Sequence, residues 1–235
     1  MTVASRWEQI DVGDKTMNVY VAAPHGGGEH PGIVLIQEIF GVNPHIRGVA
    51  DRWAREGYFV AAPDVFHRQG DRFESGYDNL QPGFERMGKL RDDEFLRDAS
   101  TLLEWMRTQP AVHKDRVGVT GFCMGGRLTA LTAMTQNVQA AIAFYAGGIG
   151  QLVERFGQLR APILFFFGAK DNFIPVSDTQ KVRAALESNQ KTGDVVVYDD
   201  CGHGFFCDAR GSYHKPTAEA AWKRATEWFA RHLKS

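Results

Sequence analysis

The sequence predicts an α/β protein with an open, mostly parallel sheet of about seven to eight strands and helices on both faces. Three observations carry this. Short apolar runs alternate with longer amphipathic ones through the C-terminal four-fifths of the 235 residues. The later runs, AAIAFY (140–145) and PILFFF (162–167), are almost continuously apolar, as strands covered on both faces must be. A leading pair of strands then fits an antiparallel edge on a doubly wound sheet.

The strands follow in order. Residues 6–10 read as an antiparallel edge, and MNVYVA (17–22) as its neighbour. IVLIQ (33–37), FVAA (59–62), RVGVT (116–120), 140–145, 162–167 and VVVY (195–198) complete the set. Helices occupy the intervals. Asn43 and Pro44 supply an N-cap and first turn for a helix to about Glu56, which Gly57 ends. The next helix spans 92–107, with Leu96, Leu103 and Met106 on one face. Others span 124–135, 177–189 (capped by Ser177 or Asp178) and 216–233. In the last, Ala221, Ala225, Trp228, Phe229 and Leu233 recur at helical spacing. The stretch 66–90 is the least regular and long for a plain connection, which fits a pocket wall or lid. No linker interrupts the pattern, so residues 1–235 are expected to form a single domain.

Composition bounds the function. A net charge of −1 gives no electrostatic reason to bind nucleic acid or an anionic membrane. The N-terminal MTVASRWEQIDVGDK lacks the apolar stretch of a signal peptide, and no window approaches the length of a membrane span. Three cysteines do not make a disulfide framework and suit a reducing compartment, so a cytoplasmic location is expected.

Ligands of an open parallel sheet bind beyond the carboxyl ends of its strands, and four polar segments fall there. GFCMGG (121–126) directly follows an apolar run and has the glycine spacing of a sharp strand-to-helix elbow, with Cys123 at the nucleophile position. There the helix N-terminus favours a thiolate, and the Met124 N–H is a natural oxyanion donor. His203, in G-H-G, can accept the thiol proton and later activate water. Asp171, after ILFFF, can hold the histidine tautomer. Nucleophile, acid and base thus occur in the chain order of an α/β-hydrolase fold. Glu38, in QEIFG, sits where an oxyanion loop belongs. From the bare sequence a second base and a loop salt bridge are equal readings. HGGG (25–28) precedes strand 33–37 and reads as a turn without a catalytic role. Cys201, His203 and Cys207 lack a second pair at zinc spacing, so no metal is expected.

With QEIFGVN, GFCMGG, the Asp of G-x-x-D-x-F-I-P and the final G-H-G-F in place, the chain resembles the dienelactone hydrolase (carboxymethylenebutenolidase) family across about residues 15 to 232. That resemblance implies a Cys123–His203–Asp171 triad, with Glu38 as the carboxylate that takes the thiol proton. It implies oxyanion donors at Ile39 and Met124, a pocket aromatic at Tyr145, and no cofactor. Family enzymes acting on dienelactone hold its carboxylate with two arginines. Here the position four residues after the histidine is Cys207, with Arg210 three further on. Arg86 and Arg91 are the candidates in the other region. Phe40, Phe173, Phe205 and Phe206 suggest an apolar pocket. The expected partner is therefore a small ester or lactone, met by a monomer or small homo-oligomer. The alternatives are hydrolysis of thioesters, aryl esters or phosphotriesters, or a non-catalytic thiol sensor.

Overall fold

The computed structural model describes residues 2–234. Eight strands and six α-helices alternate: β1 (Val3–Asp11), β2 (Thr16–Pro24), β3 (His30–Ile36), α1 (Pro44–Arg55), β4 (Phe59–Pro63), α2 (Gln81–Met87), α3 (Asp92–Thr108), β5 (Val112–Phe122), α4 (Met124–Thr135), β6 (Ala140–Phe144), β7 (Ile163–Gly168), α5 (Val176–Ser188), β8 (Gly193–Tyr198) and α6 (Lys215–Leu233). The strands form one sheet in the order β1-β2-β4-β3-β5-β6-β7-β8. The α/β-hydrolase fold read from the sequence is the fold observed. By internal contacts the chain divides into two compact units, Met1–Gly118 and Val119–Ser235, and the division falls inside β5.

In the first unit, β1 and β2 form an antiparallel hairpin from Val3↔Pro24 to Asp11↔Thr16. β2 also runs antiparallel to β4, whereas β3 and β4 are parallel. The edge strand β1 is longer than the expected 6–10 and mostly exposed, as an edge with one solvated face can be. Asn43 caps α1 as its sequence indicates: its Oδ1 accepts the Ile46 N–H at 3.1 Å, with Pro44 in the first turn. On α3 the buried stripe is Phe95, Ala99, Leu102, Leu103 and Met106, with Leu96 only half-buried. Gly26 and Gly28 take φ of 131° and 116° in the turn between β2 and β3, so HGGG is a turn.

The 66–90 stretch is more structured than its composition suggests. A short 3₁₀ turn covers His67–Gln69, and α2 follows at Gln81–Met87. Asp64, buried at the end of β4, accepts the N–H groups of Phe66 (3.0 Å) and Arg72 (2.8 Å). Arg68 pairs with buried Asp98 of α3 and with Asp14 (2.6 Å). These bonds hold the start of the segment against β4 and α3.

In the second unit, β6, β7 and β8 are parallel, with Phe144↔Phe166 and Phe166↔Val196 in register. Ile142, Phe144, Phe165, Phe166 and Phe167 are almost wholly buried, as covered parallel strands require. α6 lays Ala218, Ala221, Trp222, Ala225, Phe229 and Leu233 inward, whereas Trp228 is half-buried beside His232. Neither Ser177 nor Asp178 caps α5. Pro175 occupies the cap in extended conformation, and Asp178 Oδ1 pairs instead with Lys181 at 2.8 Å. Asp178 lies one turn too late to reach back.

Candidate active site

Cys123 stands at the junction of β5 and α4 with φ 57° and ψ −118°, a conformation that side chains adopt only under local constraint. The constraint is visible. The Cys123 N–H donates to the Phe144 carbonyl at 3.0 Å, and its own carbonyl accepts from Gly126 (3.0 Å) and Gly147 (3.2 Å). A Cβ on Gly121 would stand 2.4 Å from the Gly125 oxygen, and one on Gly126 would stand 2.6 Å from the Phe144 oxygen. The elbow therefore closes only with glycine at both places, which explains the motif. Cys123 is partly exposed, whereas Cys201 and Cys207 are buried; all three are free thiols.

Asp171 follows β7 and is fixed before it meets the histidine. Its Oδ1 accepts the N–H groups of Phe173 (2.8 Å) and Ile174 (3.1 Å), leaving Oδ2 for His203 Nδ1 at 2.8 Å. One carboxylate thus both closes its own turn and holds the imidazole. The loop after β8 that carries His203 lies close to the end of β7. A Cβ on Gly168 would be 2.3 Å from the Cys201 oxygen, and the Lys170 N–H donates to that oxygen at 2.8 Å. The His203 ring meets Tyr145 and Phe173 edge-on, with centroids 5.0 and 5.1 Å away. His203 also forms a side-chain hydrogen bond with Cys123.

Burial works against the charged imidazole. The negative charge of Cys123 outweighs it, together with the hydrogen bonds to Asp171 and Cys123 and the Asp171 charge, and the His203 pKa rises to about 10.

The other sequence candidates are distributed as follows. Tyr145 is wholly buried with φ 34°. Phe205 is buried edge-on to Tyr145 at 5.4 Å, and Phe173 is 54% exposed. Arg210 packs its guanidinium over Gly204: a Cβ there would lie 2.5 Å from a guanidinium nitrogen. Gly204 itself needs glycine for its φ of 77°. Cys207 is buried and cannot substitute for an arginine. Cys201 Sγ donates to Thr217 Oγ1 at 3.1 Å, which makes it a packing residue. Met124 heads α4.

In the first unit, Glu38 and Ile39 follow β3 and are fully or nearly fully buried. Phe40 is buried edge-on to Tyr77 at 4.6 Å. Arg86 stacks on Phe73 at 3.7 Å, and Arg91 lies on the surface beside Asp93 and Glu94. Sequence reasoning passed over Gln37. Its amide is wholly buried, and neither Nε2 nor Oε1 has a hydrogen-bond partner among the described residues. The available signal was an uncharged polar residue closing the apolar run IVLI.

An open eight-stranded sheet with a thiol elbow, a held histidine and its aspartate at strand ends defines the hydrolase class of the α/β-hydrolase fold. Within it, residues 17–233 match the dienelactone hydrolase family model, and the chain belongs to that family. A Synechocystis sp. protein assigned as a carboxymethylenebutenolidase is 36% identical, with each chain covered in full. The crystal structure of an assigned dienelactone hydrolase from Klebsiella pneumoniae subsp. pneumoniae superposes with a TM-score of 0.91 at 34% identity, covering 98% of this chain and 99% of that one. A metagenomic enzyme described as a dienelactone hydrolase-like promiscuous phosphotriesterase shares the fold at TM-score 0.88 and 21% identity, covering 99% of this chain and 100% of that one.

Proposed function

We propose that this hydrolase cleaves small esters or lactones, including dienelactone-like enol lactones, through a cysteine acyl-enzyme intermediate. The reading is supported above all by one imidazole hydrogen-bonded both to Asp171, at 2.8 Å, and to the elbow thiol Cys123. The Cys123 sulfur attacks the carbonyl carbon, forming a C–S bond as electrons move to the carbonyl oxygen. The Ile39 and Met124 N–H groups stabilise that oxyanion, each worth ~3 kcal/mol in comparable sites. Collapse breaks the C–O bond, and the leaving oxygen takes a proton from the His203 imidazolium. A water, deprotonated by His203, then attacks the thioester carbonyl and releases the acid and the free thiol.

Asp171 keeps the imidazole in one tautomer throughout. Glu38 serves as the second carboxylate, accepting the thiol proton as substrate enters. Phe40, Tyr145, Phe173 and Phe205 give the pocket its apolar walls. Arg210 is the arginine placed beside the catalytic histidine loop and takes a substrate carboxylate; Arg86, committed to Phe73, borders the pocket. The chain acts as a single domain in a reducing cytoplasm, as a monomer or small homo-oligomer, with no cofactor, metal or nucleic acid.

The test is a panel of 4-nitrophenyl esters, lactones, a thioester and a phosphotriester, run with wild type and Cys123→Ala. Esters and lactones should be the preferred substrates, and Cys123→Ala should lose over about a thousandfold of kcat with an unchanged circular dichroism spectrum. Near-wild-type ester turnover by the alanine form would discard the thiol mechanism.

A further inference from the structure

The buried Gln37 amide is an anomaly that folding alone does not explain. It lies one residue beyond β3 and one before Glu38, at the strand end where ligands of such sheets bind. A buried amide without hydrogen bonds is costly, and exchanging its nitrogen and oxygen does not help, because both ends lack partners among the described residues. The amide of Asn43 on the same loop, by contrast, is paired. Asn43, six residues on, accepts the Ile46 N–H at 3.1 Å and donates to the Tyr77 hydroxyl at 2.9 Å.

The loop backbone also has little room to move toward a partner. Gly41 has φ 85°, and a Cβ there would stand 1.7 Å from the Phe73 oxygen. A Cβ on Gly83 of α2 would stand 2.6 Å from the Ile39 oxygen. The Ser75 N–H donates to the Phe40 carbonyl at 3.3 Å. The segment around Gln37 is therefore overlaid by residues 73–75 and by α2.

We propose that Gln37 is a further ligand-binding residue, whose amide is completed by an oxygen-bearing group able to donate and accept a hydrogen bond. This rests on the cysteine hydrolase reading, and two sources supply that chemistry. One is the water consumed in releasing the acyl group; the other is an oxygen of the bound substrate. Fold stability is given up at this position in favour of turnover.

Gln37→Met, which keeps length and removes both polar atoms, tests it with 4-nitrophenyl acetate. The melting temperature should equal or exceed wild type by a few degrees, while kcat falls about tenfold or more if the water is the ligand, and kcat/KM does so if it is a substrate oxygen. A lower melting temperature would mean that the amide already has a partner in the fold, and kcat and kcat/KM both within about twofold of wild type would mean that it has no ligand. Either result overturns the inference. Pre-steady-state kinetics separates the two sources: a normal burst followed by slow turnover identifies the water, and a slowed burst identifies the substrate oxygen. Cys123→Ala is measured alongside. Loss of activity there with none in Gln37→Met overturns this inference alone. Turnover that survives Cys123→Ala overturns the cysteine reading and, with it, the ligand assigned to Gln37.

Discussion

The imidazole of His203 is charged against its surroundings. Burial lowers the affinity of the ring for a proton, and the charge of Cys123 is the largest influence raising it. Removing the thiol should therefore bring the His203 pKa down markedly from about 10, even though Asp171 remains. An NMR titration of the ring in wild type and Cys123→Ala measures this. An unchanged value in the variant would show that Asp171 alone sets the proton affinity. The elbow at Cys123 and the pairing of Asp171 with His203 were legible in the sequence, because a tight turn admits few residues and chain order supplies the rest. Gln37 was not legible. Its interest lies in what fails to surround it, and spacing along a chain does not encode a missing partner. Arg210 was legible as a candidate, but its position over Gly204 depends on how the chain folds back between residues 204 and 210.

At the scale of elements, every strand and the five longer helices followed from periodicity and punctuation. The helix α2 did not. Its seven residues, QPGFERM, include both proline and glycine and have no side-chain cap, so no local preference marks it. It forms where Gly83 lets its backbone reach the Ile39 carbonyl, a tertiary cause. The same packing yields a prediction about Gly41. An alanine there would hold a left-handed φ of 85°, and its Cβ would overlap the Phe73 carbonyl, a backbone group with nowhere to go. Gly41→Ala should cost more than ~2 kcal/mol in urea unfolding. Amide exchange should quicken across residues 73–75. Gly27→Ala, with open space around it and no left-handed φ, is the control and should stay within about 0.5 kcal/mol. Equal losses in the two variants would show that residues 73–75 do not clamp the loop.

For the molecule as a whole, the perturbed groups lean one way. The local sequence does not reveal the swap that places β4 between β2 and β3, since strand order is decided by crossover connections. His203 is raised to about 10. Asp64 and Asp98 are raised chiefly by burial, as are Tyr20, Tyr58 and Tyr198. A group whose folded pKa exceeds its unfolded value binds more protons when folded, so its contribution is complete below the unfolded value and declines as pH climbs to the folded one. For His203 that window opens at 6.5 and closes near 10. The buried carboxylates begin their decline above 3.8, and the tyrosines above 10.0. His232, lowered by burial, opposes the trend from a more exposed site. The midpoint of thermal unfolding should therefore fall steadily between pH 6.5 and 10, and fall less in Cys123→Ala, where His203 loses its strongest anionic neighbour. Scanning calorimetry at half-unit pH steps reads both slopes. A midpoint that is level or rising across this range, or identical slopes in the two proteins, would mean that the imidazole gains no proton affinity from the fold.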